Sequence, residues 1–355
     1  MFKNLFSLLT LGLVVFSCSK PNDTAEKALE ISSVKFEKRK NLNGDNVSEF
    51  YEKLFITKTP ARAKGKNVAA GATNGYANEF VIAATDIEGD SIINVNLPYN
   101  SQFTNLTTNA TVKATITFKS AVEGITLGGT AITGKTAEIP FEIPATELTK
   151  EKLEVGSFRK DFEFSKAGGA SAVKKYTVVF KFSNNKFDKC TIEQGEFGFI
   201  VAETGANAKA NFNSHTSDPA AGTKVFAHYS TGNNSGKDGL TAANAIEFEL
   251  RKGKASTAYP TGGELTTSGA LDTAYFKADA LILPDGAFIE LGTTDKDDVD
   301  PITGIKKTGG TVTAGQTDLK GASGQSSVSY TFRVVAQDGI TKKHYKLTIN
   351  ANAPS

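Results

Sequence analysis

The chain has 355 residues, 39% of them hydrophobic, and its 40 basic and 38 acidic side chains leave a formal net charge of +2. Lysines and acids are interspersed along it, so charge gives no attraction for nucleic acid or an acidic substrate. The length is enough for two domains of ordinary size, and the lean apolar content suits sheets that bury one face of each strand.

Residues 1–18, MFKNLFSLLTLGLVVFSC, place a single early cation, Lys3, before an apolar run from Leu5 to Phe16, followed by Ser17 and Cys18. Charged, apolar and small residues in that order make a secretory signal peptide, and the run is too short to span a bilayer comfortably. A cysteine directly behind it resembles the lipobox of bacterial lipoproteins, in which cleavage leaves that cysteine as a lipidated first residue. The resemblance implies a signal peptide over 1–17, palmitate-type acylation of Cys18 and a polar tether over 18–30. It also implies an outer-membrane location, displayed at the cell surface or facing the periplasm. With Cys18 acylated, Cys190 has no partner for an intramolecular disulfide.

Strand signals follow in chain order. Residues 31–36 (ISSVKF) are the first, and an apolar patch with Phe50 and Leu54 comes after a Lys/Asn-rich stretch. Residues 58–73 are Ala/Gly/Lys-rich and read as an exposed loop. Residues 78–84 are a strand, and 91–97 alternate Ile93, Val95 and Leu97 against Asn94 and Asn96 until Pro98. In 110–119, Val112, Ala114, Ile116 and Phe118 point one way and Thr111, Lys113, Thr115 and Thr117 the other, a pattern a helix would scatter. Gly124, Gly128, Gly129 and Gly134 punctuate the next segment. Residues 146–153 read as a short helix, and 158–164 and 173–182 as strands. In the second half, 195–202, 224–229, 245–250, 274–283 and 286–291 are strand candidates between Gly/Ser/Asn/Thr-rich turns. No segment carries the sustained apolar period of a long helix, which disfavours a parallel α/β fold.

The chain closes on SYTFRVVAQDGITKKHYKLTI (329–349), where Tyr330, Phe332 and Val334 alternate, Asp338 and Gly339 turn, and Tyr345, Leu347 and Ile349 return. This resembles the "Y-T-V-x-A-x-D-G … K-x-Y-x-V-x-V" ending of immunoglobulin- or cadherin-like domains that recur in surface lipoproteins of Bacteroidetes-type bacteria. KKYTVVFKF (174–182) is a weaker copy closing the first half, and INVNLPY (93–99) matches a further strand of such modules, with ALILPDG (280–286) a poorer counterpart. The resemblance implies an all-β chain of two tandem antiparallel β-sandwich modules, over 31–185 and 190–350. The implied role is non-catalytic: adhesion, binding or accessory service, with an extracellular protein or glycan as ligand. The alternatives are a fimbrillin-like pilus subunit that exchanges a strand between chains, and a secreted hydrolase.

Catalytic signatures are missing from the sequence. His215, His228 and His344 form no metal motif, and there is no nucleophile elbow or phosphate loop. Cofactors are therefore not expected, apart from calcium at Asp295, Asp297, Asp298 and Asp300, where clustered loop carboxylates supply the oxygens that calcium takes. The chain lacks tryptophan, so stacking on sugars would fall to Tyr76, Tyr99, Tyr229, Tyr259 and Tyr275 near loops and strand ends.

Overall fold

The computed structural model describes residues 27–55, 78–169, 172–213, 219–229, 231–254, 263–284, 286–292, 299–307 and 315–351. The expected signal peptide, Cys18, the 58–73 loop, Tyr76, His215, Tyr259, Asp295, Asp297 and Asp298 lie outside them.

The first half builds seven principal strands: β1 (Ile31–Glu37), β2 (Glu79–Ala83), β3 (Ile92–Leu97), β4 (Ala110–Val122), β5 (Gly134–Ile143), β6 (Phe158–Lys166) and β7 (Ala172–Phe182). One sheet has the order β5-β4-β1-β2, and the facing six-stranded sheet is centred on β3-β7-β6. Alternation along the strands decides which side chains meet between them. Ile93, Val95 and Leu97 of β3 and Val112, Ala114, Ile116 and Phe118 of β4 are all buried in one apolar core.

Two six-residue helices complete this half. In α1 (Glu49–Leu54) the Ser48 side chain accepts from Tyr51 N–H, and Phe50, Tyr51 and Leu54 carry the apolar patch into the core. In α2 (Lys150–Val155) Thr149 caps Lys152 N–H and Gly156 ends the helix at φ +64°. The helix expected over 146–153 thus begins later, because its capping hydroxyl sits at 149.

The second half forms a separate apolar core, with β8 (Gly198–Ile200), β9 (Lys224–Phe226), β10 (Ile246–Lys252), β11 (Val328–Val335) and β12 (Lys342–Ala351). Here β10, β12 and β11 lie side by side in a seven-stranded sheet, and β8 pairs with β9 in a separate two-stranded one. Phe197 and Phe199 flank the start of β8; Phe197 packs on Phe248 and Phe332, and Phe199 on Phe276. The chain is all-β with sandwich packing.

The segment 274–283 is not the strand its pattern suggests. Its buried residues alternate, but Phe276, Ala278, Ala280 and Ile282 donate to Leu319, Pro301, Gly198 and Glu196 respectively, so no continuous ladder forms. Conversely, β5 is a strand where the sequence showed glycine punctuation and Pro140. It lies at a sheet edge, the position that tolerates a residue without an N–H.

The two halves share a local plan. The last strand of each runs antiparallel to its predecessor and parallel to an earlier strand: β7 to β3, and β12 to β10. A Phe–Tyr pair faces across the antiparallel ladder in each. Phe162 stacks on Tyr176 at 5.4 Å and 14°, and Phe332 on Tyr345 at 5.5 Å and 17°. Each tyrosine then anchors the incoming chain of its own half. Tyr176 Oη donates to Leu29 C=O at 2.8 Å; Tyr345 Oη donates to Cys190 C=O and accepts from Ile192 N–H, both at 2.9 Å.

Two polar clusters inside the fold are matched. Beyond the end of β1, Asn41 takes over as its hydrogen-bonding partner for β4: its amide donates to Lys113 C=O and Glu37 C=O, and its Oδ1 accepts from Lys113 N–H. On the outer face of β10, Glu247 meets Lys237 and Lys346 while the Asn234 side chain bonds both its backbone groups. Burial acts to raise the Glu247 pKa, but the two lysines outweigh it and hold the carboxyl below its ordinary range.

Candidate cleft at a sandwich edge

A cleft of about 990 Å³ opens at one edge of the first sandwich. The chain crosses there from one sheet to the other. A short hairpin, Ile125–Leu127 with Thr130–Ala131, turns through Gly128 and Gly129, both at positive φ, and Ile132 and Thr133 then lead into β5. The walls are this hairpin, the first half of β5, and Asp161, Phe162, Glu163 and Ser165 of β6.

Three carboxylates line the cleft, and no lysine, arginine, histidine or cysteine does. Glu138 faces Lys40 at 3.4 Å and Lys113 at 3.5 Å. Asp161 meets Lys175 at 2.8 Å and accepts from Thr177 Oγ1 at 2.7 Å; the Lys175 hydrogen bond leads in holding its carboxyl below the usual range. The Glu163 side chain is exposed and makes no hydrogen bond or close ion pair among the described residues, with Lys175 opposite it across the ladder. Hydroxyls of Thr126, Thr130, Thr133, Thr136 and Ser165 sit among apolar Ile132, Ile139 and Phe162. Phe162 is 7% exposed, so the cleft offers no open aromatic face.

The backbone of β5 adds a second property. Lys113 turns its N–H and C=O to Asn41, on the β1 side of β4, and Thr117 C=O accepts from Ser32 Oγ on the same side. Alternation then turns Val112, Ala114 and Ile116 toward β5, opposite Phe141, Ile139 and Ala137. The backbone groups of Thr136, Glu138, Pro140 and Glu142 consequently face the open edge. Pro140 contributes only a C=O there.

The residues singled out from sequence do not converge on this cleft. Asp300 uses Oδ1 to accept from Ile302 N–H at 2.8 Å, and its C=O accepts from Gly304 N–H at 2.7 Å. No group of three His, Cys, Asp or Glu positioned for a metal occurs among the described residues. Tyr99 is 7% exposed, donates to Glu154, and is covered by Lys186 Nζ at 3.9 Å from its ring. Tyr229 packs edge-on against Phe248, and Tyr275 is half-buried. Cys190 is buried, and burial pushes its thiol pKa up, which suppresses the reactive thiolate. His228 is buried with Nε2 3.6 Å from Glu264 Oε1.

Sequence reasoning missed the cleft because it missed β5. The signal was present: Ala137, Ile139, Phe141 and Ile143 alternate with Thr136, Glu138 and Glu142, but Pro140 in the middle reads as a break. Comparison with protein-family models, curated proteins and solved structures gives no match. Among the described residues no helix is long and apolar enough to cross a membrane.

Proposed function

We propose that the chain is a lipid-anchored, non-catalytic binding module displayed at the outer membrane. The observation that carries this reading is the edge cleft, which presents backbone, hydroxyl and carboxylate groups with no nucleophilic cysteine or histidine among its lining residues. Two apolar cores give it a stiff support. The leader and Cys18 supply the anchor. Labelled palmitate should enter the wild-type chain and not the Cys18→Ala variant, and external protease should remove the chain from intact cells. Full protection of the chain from that protease, with the outer membrane intact, would refute surface display.

A pilus-subunit reading has one observation in its favour. β1 is the first strand among the described residues, yet it lies inside a sheet between β4 and β2 and contributes Ile31, Val34 and Phe36 to the core. Removing it would open a strand-wide slot that a strand from another copy could fill. On this reading, proteolysis between α1 and β2 yields polymers visible by electron microscopy; a product that stays monomeric or unfolds would refute it.

A further inference from the structure

We infer that the edge cleft takes an extended peptide segment of a partner protein, carrying lysine or arginine, which adds as a strand to the Gly134–Glu138 part of β5. The inference rests on the non-catalytic binding reading and assigns its ligand.

Three observations select this class of ligand. First, the edge is a template. Thr136 and Glu138 each turn an N–H and a C=O outward, and the chemistry that satisfies alternating donors and acceptors at strand spacing is another extended backbone. Pro140 fixes where that pairing stops, because it can donate nothing. Second, the lining is of one sign. Glu138 and Asp161 are already met by Lys40, Lys113 and Lys175 from outside the cleft, whereas the exposed Glu163 side chain feels Lys175 across the ladder but has no close ion-pair partner among the described residues. A basic side chain on the incoming strand would supply one. Third, an oligosaccharide would find no aromatic platform, because Phe162 is turned into the core. Side chains along the added strand would instead meet the exposed Thr133 and Thr136 and, at the rim, Glu163.

The test is selection of a displayed library of randomised peptides on the full-length chain. Recovered peptides are then measured by fluorescence anisotropy and by hydrogen exchange of the complex. The expected peptides are enriched in lysine or arginine, and they slow amide exchange at Thr136 and Glu138. Glu163→Lys, a surface change that leaves the core untouched, should weaken binding by at least about fivefold, in the range of a partly exposed ion pair whose sign is reversed. Glu138→Pro removes an outward N–H, as Pro140 already does two residues on, and should weaken binding by at least about tenfold, one lost hydrogen bond to a partner plus its carboxylate. Recovery of no peptide, peptides without basic enrichment, protection mapped elsewhere, or affinity unchanged by Glu163→Lys would overturn the inference. Cleavage of bound peptides, read by mass spectrometry, would instead overturn the non-catalytic reading beneath it.

Discussion

Replacing Tyr345 with phenylalanine removes one oxygen and leaves the ring stack on Phe332 in place. That oxygen serves two buried backbone groups at 2.9 Å, Ile192 N–H and Cys190 C=O, and Tyr345 itself is 0% exposed. Each orphaned buried group costs about 1–3 kcal/mol, less whatever water regains access, so the substitution should destabilise the second core by about 2–3 kcal/mol. Tyr176→Phe in the first core orphans only Leu29 C=O and should cost about 1 kcal/mol. The chain has no tryptophan, so the assay is hydrogen exchange followed by mass spectrometry across a urea series, with peptides from each core read separately. Loss should be confined to the core that carries the substitution. Equal losses for the two variants, or a larger loss for Tyr176→Phe, would refute the reasoning that counts orphaned groups.

Three further outcomes follow from buried polar groups. Glu37 is held at a pKa of about 2, below its ordinary 4.5, by Lys40 first and then by Arg39 and Thr115 against the opposing effect of burial. A lowered folded pKa stabilises above the ordinary value and loses that contribution as pH falls toward 2. Glu37→Gln should therefore cost about 1–3 kcal/mol at neutral pH, with wild type and variant converging near the acid limit of a urea-midpoint series. Asn41→Ala strands Lys113 N–H, Lys113 C=O and Glu37 C=O and should cost about 3 kcal/mol, measured by urea melting; a loss below about 1 kcal/mol would show that water replaces the amide. Burial raises the pKa of Tyr51, Tyr176 and Tyr345. Their neutral forms are thus favoured in the fold, stability from them is full below about pH 10, and the urea midpoint should fall above it, less steeply in Tyr345→Phe.

Much of the first half was legible because its strands are half-buried. In β3 and β4 the apolar residues recur every second position, and one face must leave water, so pattern and burial coincide. The second half broke that link. β10 is buried on both faces, its Glu247 and Glu249 covered by Asn233, Asn234, Lys237 and Arg251, so its charged residues did not mark a solvent side. The 274–283 segment kept the alternation without a neighbour to ladder against.

The sequence alone determined the all-β character, the hairpin of β11 and β12, and the absence of long helices, since these depend on local period and turn chemistry. It also carried the repeat, faintly, in the tyrosines at 176 and 345. Only the tertiary structure decided that these tyrosines grip the incoming chain of their own halves, that both closing strands lie parallel to an earlier one, and that Pro140 sits on an open edge. Those are contacts between residues far apart in the chain, and a single strand's pattern does not encode which neighbour lies beside it. The cleft exists for the same reason, formed where two sheet edges and a crossing of the chain meet.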